Sequence, residues 1–136
     1  MAGDYSTWAV DTILNHFFRG TQPAAIATPY IGLFSTMPAT KAGAGTELVT
    51  GSSPGYARVA GTFSAPSGTD PRQVATSADT LFPRATGDWL AAVGYGVWDA
   101  PVGGNLICFK TFGSPVTITN GNRGYFASGE LTSTET

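Results

Sequence analysis

Ile31-Gly-Leu-Phe-Ser-Thr-Met-Pro38, Gly43-Ala-Gly-Thr-Glu47 and Gly55-Tyr-Ala-Arg-Val-Ala-Gly-Thr-Phe63 follow one another along the first half of the chain. The first piece is a short β-prone run stopped by proline. The second is a glycine-rich crossing, and the third is a new β-prone run. None of the three presents a convergent set of titratable groups. The stretch reads as scaffold, and it points to a protein that works as a surface.

The pattern continues outward from there. Strands are expected near residues 30–35, 56–63, 73–76, 80–82, 92–99, 106–112, 116–119 and 124–131, separated by clusters of Gly, Pro, Asn and Ser. Asn120-Gly121 has the composition of a two-residue hairpin turn. In the run Tyr56 to Phe63, the face carrying Ala57, Val59, Gly61 and Phe63 is expected to be the core face. Leu106 to Phe112 is apolar on both faces and is expected to be covered on both. Many short strands at this spacing predict a mainly β protein, a jelly-roll-like antiparallel β-sandwich.

One helix precedes the strands, over Thr7 to Phe18. Ser6 or Thr7 can cap its first amides, Arg19 suits its last turn, and Gly20 suits a left-handed C-cap. Val10, Ile13, Leu14 and Phe17 recur at helical spacing, and Trp8 and Phe18 widen the stripe, so the helix is expected to lie against its own sheet or a neighbouring subunit.

The 136 residues suit one β-sandwich domain, residues 1–136, with residues 1–22 as an N-terminal arm and helix. Charged residues make up only 12%, about half the ~25% usual in globular domains. The exterior must therefore be Ser, Thr, Gly, Ala, Asn and Pro, which lose little on being covered by a neighbour. That favours an assembly subunit over a soluble monomer. Net charge is −2 and the seven Lys and Arg are scattered, which argues against direct nucleic-acid binding. Cys108 is the single cysteine, so no intrachain disulfide can form and folding in a reducing cytoplasm is expected. Met1 to Trp8 lacks the features of a signal peptide, and no apolar run approaches the ~20 residues of a membrane helix.

Chemistry finds little purchase. Gly51-Ser-Ser-Pro-Gly55 matches Gly-x-Ser-x-Gly with Ser53 central, but Pro54 and a strand follow where a nucleophile elbow needs a helix. The single His16 lies upstream of it and is expected to be a partly buried structural residue. One His and one Cys cannot complete a zinc site. Lys41 to Thr46 lacks the Gly-Lys-Ser/Thr of a phosphate loop. Asp79, Asp88 and Asp99 stand beside strand ends, where side-chain bonds to turn backbone are their expected role. No catalytic, metal or cofactor site is expected. Tyr5, Trp8, His16, Phe18 and Arg19 are the expected contacts with a capsid or an adjacent protomer.

Taken in order, Leu14-Asn-His-Phe-Phe-Arg-Gly-Thr21, Ile31 to Pro38, Gly43 to Leu48, Gly55-Tyr-Ala-Arg-Val59, Phe82-Pro-Arg-Ala-Thr86, Asp88-Trp89, Gly96-Val-Trp-Asp-Ala100 and Gly103-Gly-Asn-Leu106 resemble a family of small structural proteins of tailed bacteriophages, known as tail-fibre-like or head decoration (cement) proteins. Gly121-Asn122 departs from the Gly-Asp expected there. The resemblance implies a jelly-roll β-sandwich, a homotrimer, and a non-enzymatic place on the virion. Its first implied role is a cement protein on the capsid surface, assembled in the host bacterial cytoplasm and bound to the major capsid protein between capsomers. Its second is a tail-tip or tail-fibre module that binds the host surface. A hydrolase using Ser53 is the third, formal alternative.

Overall fold

The computed structural model describes residues 4–134. Its elements, in chain order, are β1 (Asp4–Tyr5), α1 (Thr7–Arg19), β2 (Tyr30–Thr36), β3 (Thr46–Glu47), β4 (Val59–Ala60), β5 (Gln73–Ala75), β6 (Thr80–Leu81), β7 (Ala92–Trp98), β8 (Leu106–Val116), β9 (Tyr125–Phe126) and β10 (Thr132–Thr134). The protein is mainly β, with one short helix and antiparallel pairing throughout the described sheets. The main sheet runs β1-β8-β7-β2-β3, and β4 pairs with β2 beside β3. Two ribbons, β5 with β10 and β6 with β9, complete the pairing.

Register decides which side chains share a face. Ile31 pairs with Val97, Leu33 with Tyr95, and Val97 with Cys108, so these five line one face. There they join Leu48, Tyr56, Phe82, Trp89, Ile118, Phe126 and Leu131 in the larger core, with side chains from the ribbons and loops packed over the sheet. The opposite face holds a smaller cluster of Phe34, Trp98 and Phe109, with Leu106 and Met37 against it. Gly96 makes this second cluster possible. A Cβ built there would lie 2.7 Å from Phe34 Cε2 and 2.9 Å from Trp98 Cη2. The glycines expected inside this strand thus serve close packing of aromatic rings. The sheet is apolar on both faces where Cys108 and Phe109 lie, as the double apolar pattern of that strand requires.

Several strand expectations change. The 56–63 run forms a ladder only at Val59–Ala60, and the face assignment is reversed in part: Tyr56 is buried and Ala57 exposed. Tyr56 leaves the strand because its hydroxyl has polar partners to meet in the interior. The separate 116–119 strand is absent. β8 instead continues through an irregular register between Thr111 and Val116, where Pro115, lacking an N–H, fits without losing a ladder bond. Asn120-Gly121 does form a turn, with Asn122 N donating to the Thr119 carbonyl at 3.0 Å, but no paired strands flank it. Of the 124–131 run only Tyr125–Phe126 is strand. The two-residue β1 and β3 and the three-residue β10 were beyond reach of a periodicity argument.

The three turn aspartates behave as expected. Asp79 Oδ1 accepts from Ser128 N at 2.9 Å, Asp88 Oδ1 from Asn120 N at 2.8 Å, and Asp99 Oδ1 from Asn105 N at 2.7 Å.

Candidate contact surface

The surface begins where β1 hands the chain to α1. Tyr5 pairs with Cys108 on β8, at the edge of the main sheet. Ser6 N then donates to the Ile107 carbonyl at 2.8 Å, and the Ser6 hydroxyl donates to the Leu106 carbonyl. The same hydroxyl accepts from Ala9 N at 3.2 Å, so Ser6, not Thr7, is the N-cap. Thr7 N donates to the Lys41 carbonyl at 3.0 Å. The first turn of α1 is therefore pinned to the sheet and to the crossing loop. The far end is closed by Gly20, whose φ of 67° is left-handed, with its N–H on the Asn15 carbonyl.

Between these two ends α1 buries almost nothing. Ala9 is its only buried residue. The apolar stripe read from the sequence is real, but it is not packed on the sheet: Ile13 and Leu14 are about half exposed, Phe17 is 74% exposed and Phe18 82%. Exposed apolar area of this kind, contiguous and at one end of the molecule, is the mark of a surface that a partner covers.

Beside the helix the irregular segment 20–29 runs back to β2. With α1 and the end of β8 it encloses a groove of about 600 Å³, lined by Tyr5, Trp8, Ala9, Ile13, Pro23 to Ala27 and Ile107, with Asp99 and Asn105 at its polar rim. The small side chains of Ala24, Ala25 and Ala27 leave this space open.

The five expected contact residues divide between two places. Tyr5 and Trp8 line the groove. His16, Phe18 and Arg19 stand exposed at the other end of the helix. His16 is not the partly buried structural residue expected: it is exposed, its ring meets Phe17 edge-on at 5.3 Å, and its Nδ1 lies 3.3 Å from the Thr21 carbonyl oxygen. Phe17, Ile26 and Asp99 were missed as contacts. Phe17 had been assigned to the packed stripe, and nothing local marks Ile26 or Asp99 as neighbours of Trp8.

The other polar constellations serve the fold. Glu47 Oε2 meets Arg58 Nη2 at 2.7 Å, and Glu47 Oε1 accepts from Arg58 Nε and the Tyr56 hydroxyl, both at 2.8 Å. Arg58 Nη1 also donates to the carbonyls of Ala100 and Gly103, and the guanidinium carbon lies 4.0 Å from the centre of the Trp98 ring. Every arm of the guanidinium is occupied, so this is a staple joining β3, β4 and the β7–β8 loop. Burial, reinforced by the charge of Glu47, pushes the Tyr56 phenol well above its ordinary range.

Ser53 is fully buried in a turn and accepts from Leu90 N at 3.2 Å. The Cys108 thiol is buried, and burial raises its pKa, which works against thiolate chemistry. Among the described residues, no three His, Cys, Asp or Glu side chains approach closely enough to hold a metal ion. No described helix is long and apolar enough to cross a membrane.

These features define a small antiparallel β module whose open face is an apolar contact surface, without a built reaction centre among its described residues. Residues 4–134 match the protein family described as Podophage GP4 fiber I protein gp80, and the chain belongs to that family. It is a member of a small structural protein family of tailed phages, and its place is the virion. No protein of curated function matches the chain.

Proposed function

We propose that this chain is a non-enzymatic tail-fibre module that joins the virion by mutual burial of weakly polar faces, with the end of α1 as its main attachment surface. The observation that carries this reading is the family match across residues 4–134, whose description names a fibre protein. The exposed Phe17 and Phe18 supply the physical means, since aromatic side chains dominate the energetics of interface cores. As part of a fibre, the module contributes to contact with the host surface.

A second reading remains supported by the low charge of the exterior, which suits coverage by a shell. Here the chain is a capsid decoration protein, a homotrimer clamped between capsomers on the major capsid protein. The jelly-roll-like architecture belongs to this reading too, with the two ribbons and the loops that carry Phe82, Trp89 and Ile118 as the second layer over the main sheet. Bound copies would stabilise the assembled state by mass action.

Gel quantification of purified particles against the major capsid protein separates the two. A handful of copies per particle supports the fibre module, and hundreds support decoration. Absence from purified particles overturns both.

A further inference from the structure

Two parts of the contact surface complement each other and cannot meet within one chain. The C-terminal end of α1 is an apolar knob, Phe17 and Phe18, flanked by the cationic Arg19. The groove is an apolar hollow between Trp8, Ile13, Ala24, Ile26 and Ile107, with the carboxylate of Asp99 at its rim. Both are built on the same rigid helix. Eight residues from Ala9 to Phe17 span about 12 Å along its axis, so the knob points past its own groove.

We propose that the knob of one copy seats in the groove of a second copy, so that this chain associates head-to-tail with itself. Charge supports the pairing, because the seated Arg19 brings a positive group to the rim held by Asp99. Size supports it as well. Taking about 200 Å² for each large apolar side chain, the exposed fractions of Phe17, Phe18 and Leu14 on one copy and of Trp8, Ile13 and Ile26 on the other amount to about 650 Å² of apolar surface. At the roughly 57% apolar content typical of interfaces, that corresponds to about 1,100 Å² in all, above the ~1,000 Å² that marks a specific contact. A contact between two different patches is heterologous, and it closes into a ring when the rotation permits. The inference does not rest on the role in the virion, because it concerns the purified chain.

The test is sedimentation of the purified chain and of two variants, each damaged on one side. Phe17→Ser with Phe18→Ser removes the knob, and Ile26→Asp spoils the groove; all three side chains lie at the surface, so both variants should fold. Wild type is expected to sediment as an oligomer and each variant alone as a monomer. Mixed in equal amounts, the variants should form a 1:1 heterodimer, because each supplies the half that the other lacks. Val102→Ser, at an apolar side chain 86% exposed elsewhere, should leave the oligomer intact. A monomeric wild type overturns the proposal, even if the knob variant also fails to join particles, since the knob then serves a foreign partner. Variants that remain monomeric on mixing overturn it too. Absence of the chain from particles would sink the virion role and leave this result standing.

Discussion

Tyr56 stands where the edge of β2 would otherwise carry an unmet donor. β4 pairs with this edge at Tyr30 and Ile31, and β3 pairs with it at Phe34 and Thr36. Between them the Leu33 N–H donates to the Tyr56 hydroxyl at 2.9 Å, and that hydroxyl donates onward to Glu47. Tyr56→Phe keeps the ring but orphans a buried N–H, and should cost about 1–3 kcal/mol in urea unfolding. A pH effect follows from the same burial. Tyr56 and Tyr95 both have phenols raised above the usual range, chiefly by desolvation. A folded pKa above the unfolded value means that the folded state holds its proton more tightly. The resulting stability is fully present below the unfolded value of about 10 and is lost as pH rises through and above it. The urea midpoint should therefore fall more steeply above about pH 10 in wild type than in Tyr56→Phe or Tyr95→Phe. Equal slopes would show that these phenols are not the groups responsible.

At the scale of elements, the main sheet and the helix differ in what holds them. β2, β7 and β8 are packed on both faces, and the Glu47–Arg58 staple fastens their loops. Arg58→Ala would leave Glu47 without its cation and uncover Trp98, at a cost of about 3 kcal/mol in denaturant unfolding. The pleat on the second face is equally unforgiving: Gly96→Ala places a methyl against Phe34 and Trp98 and should cost about 1–3 kcal/mol. By contrast α1 is held at its capped first turn and buries only Ala9. In a chain kept monomeric by the knob substitutions, amides from Leu14 to Arg19 should exchange well before those of β2, β7 and β8. Protection of that half-helix equal to the sheet would mean that it has a packing partner within the chain.

At the scale of the molecule, the sparse charge sets how assembly responds to its surroundings. With 12% charged residues, contacts made by this exterior are carried by apolar and hydroxyl surface, which salt barely screens. Retention on particles should change little when salt is raised tenfold from low ionic strength, as followed by co-sedimentation. A steep loss would place the binding energy in ion pairs and count against burial as the means of attachment.

What was legible in the chain by itself follows from local rules. The helix and both its caps, the long strands β2, β7 and β8, and the backbone duties of Asp79, Asp88 and Asp99 each depend on a few neighbouring residues, and the order of phage-like motifs carried the family. What only the tertiary structure decided depends on residues far apart. Nothing near Tyr56 announces Leu33 and Glu47 as its partners, and nothing near Trp8 announces Ile26 and Asp99. The apolar stripe of α1 is the plainest case. Helical spacing tells which side chains share a face, but whether sheet, solvent or a second copy covers that face is set by where β1 and the Ser6 cap aim the helix.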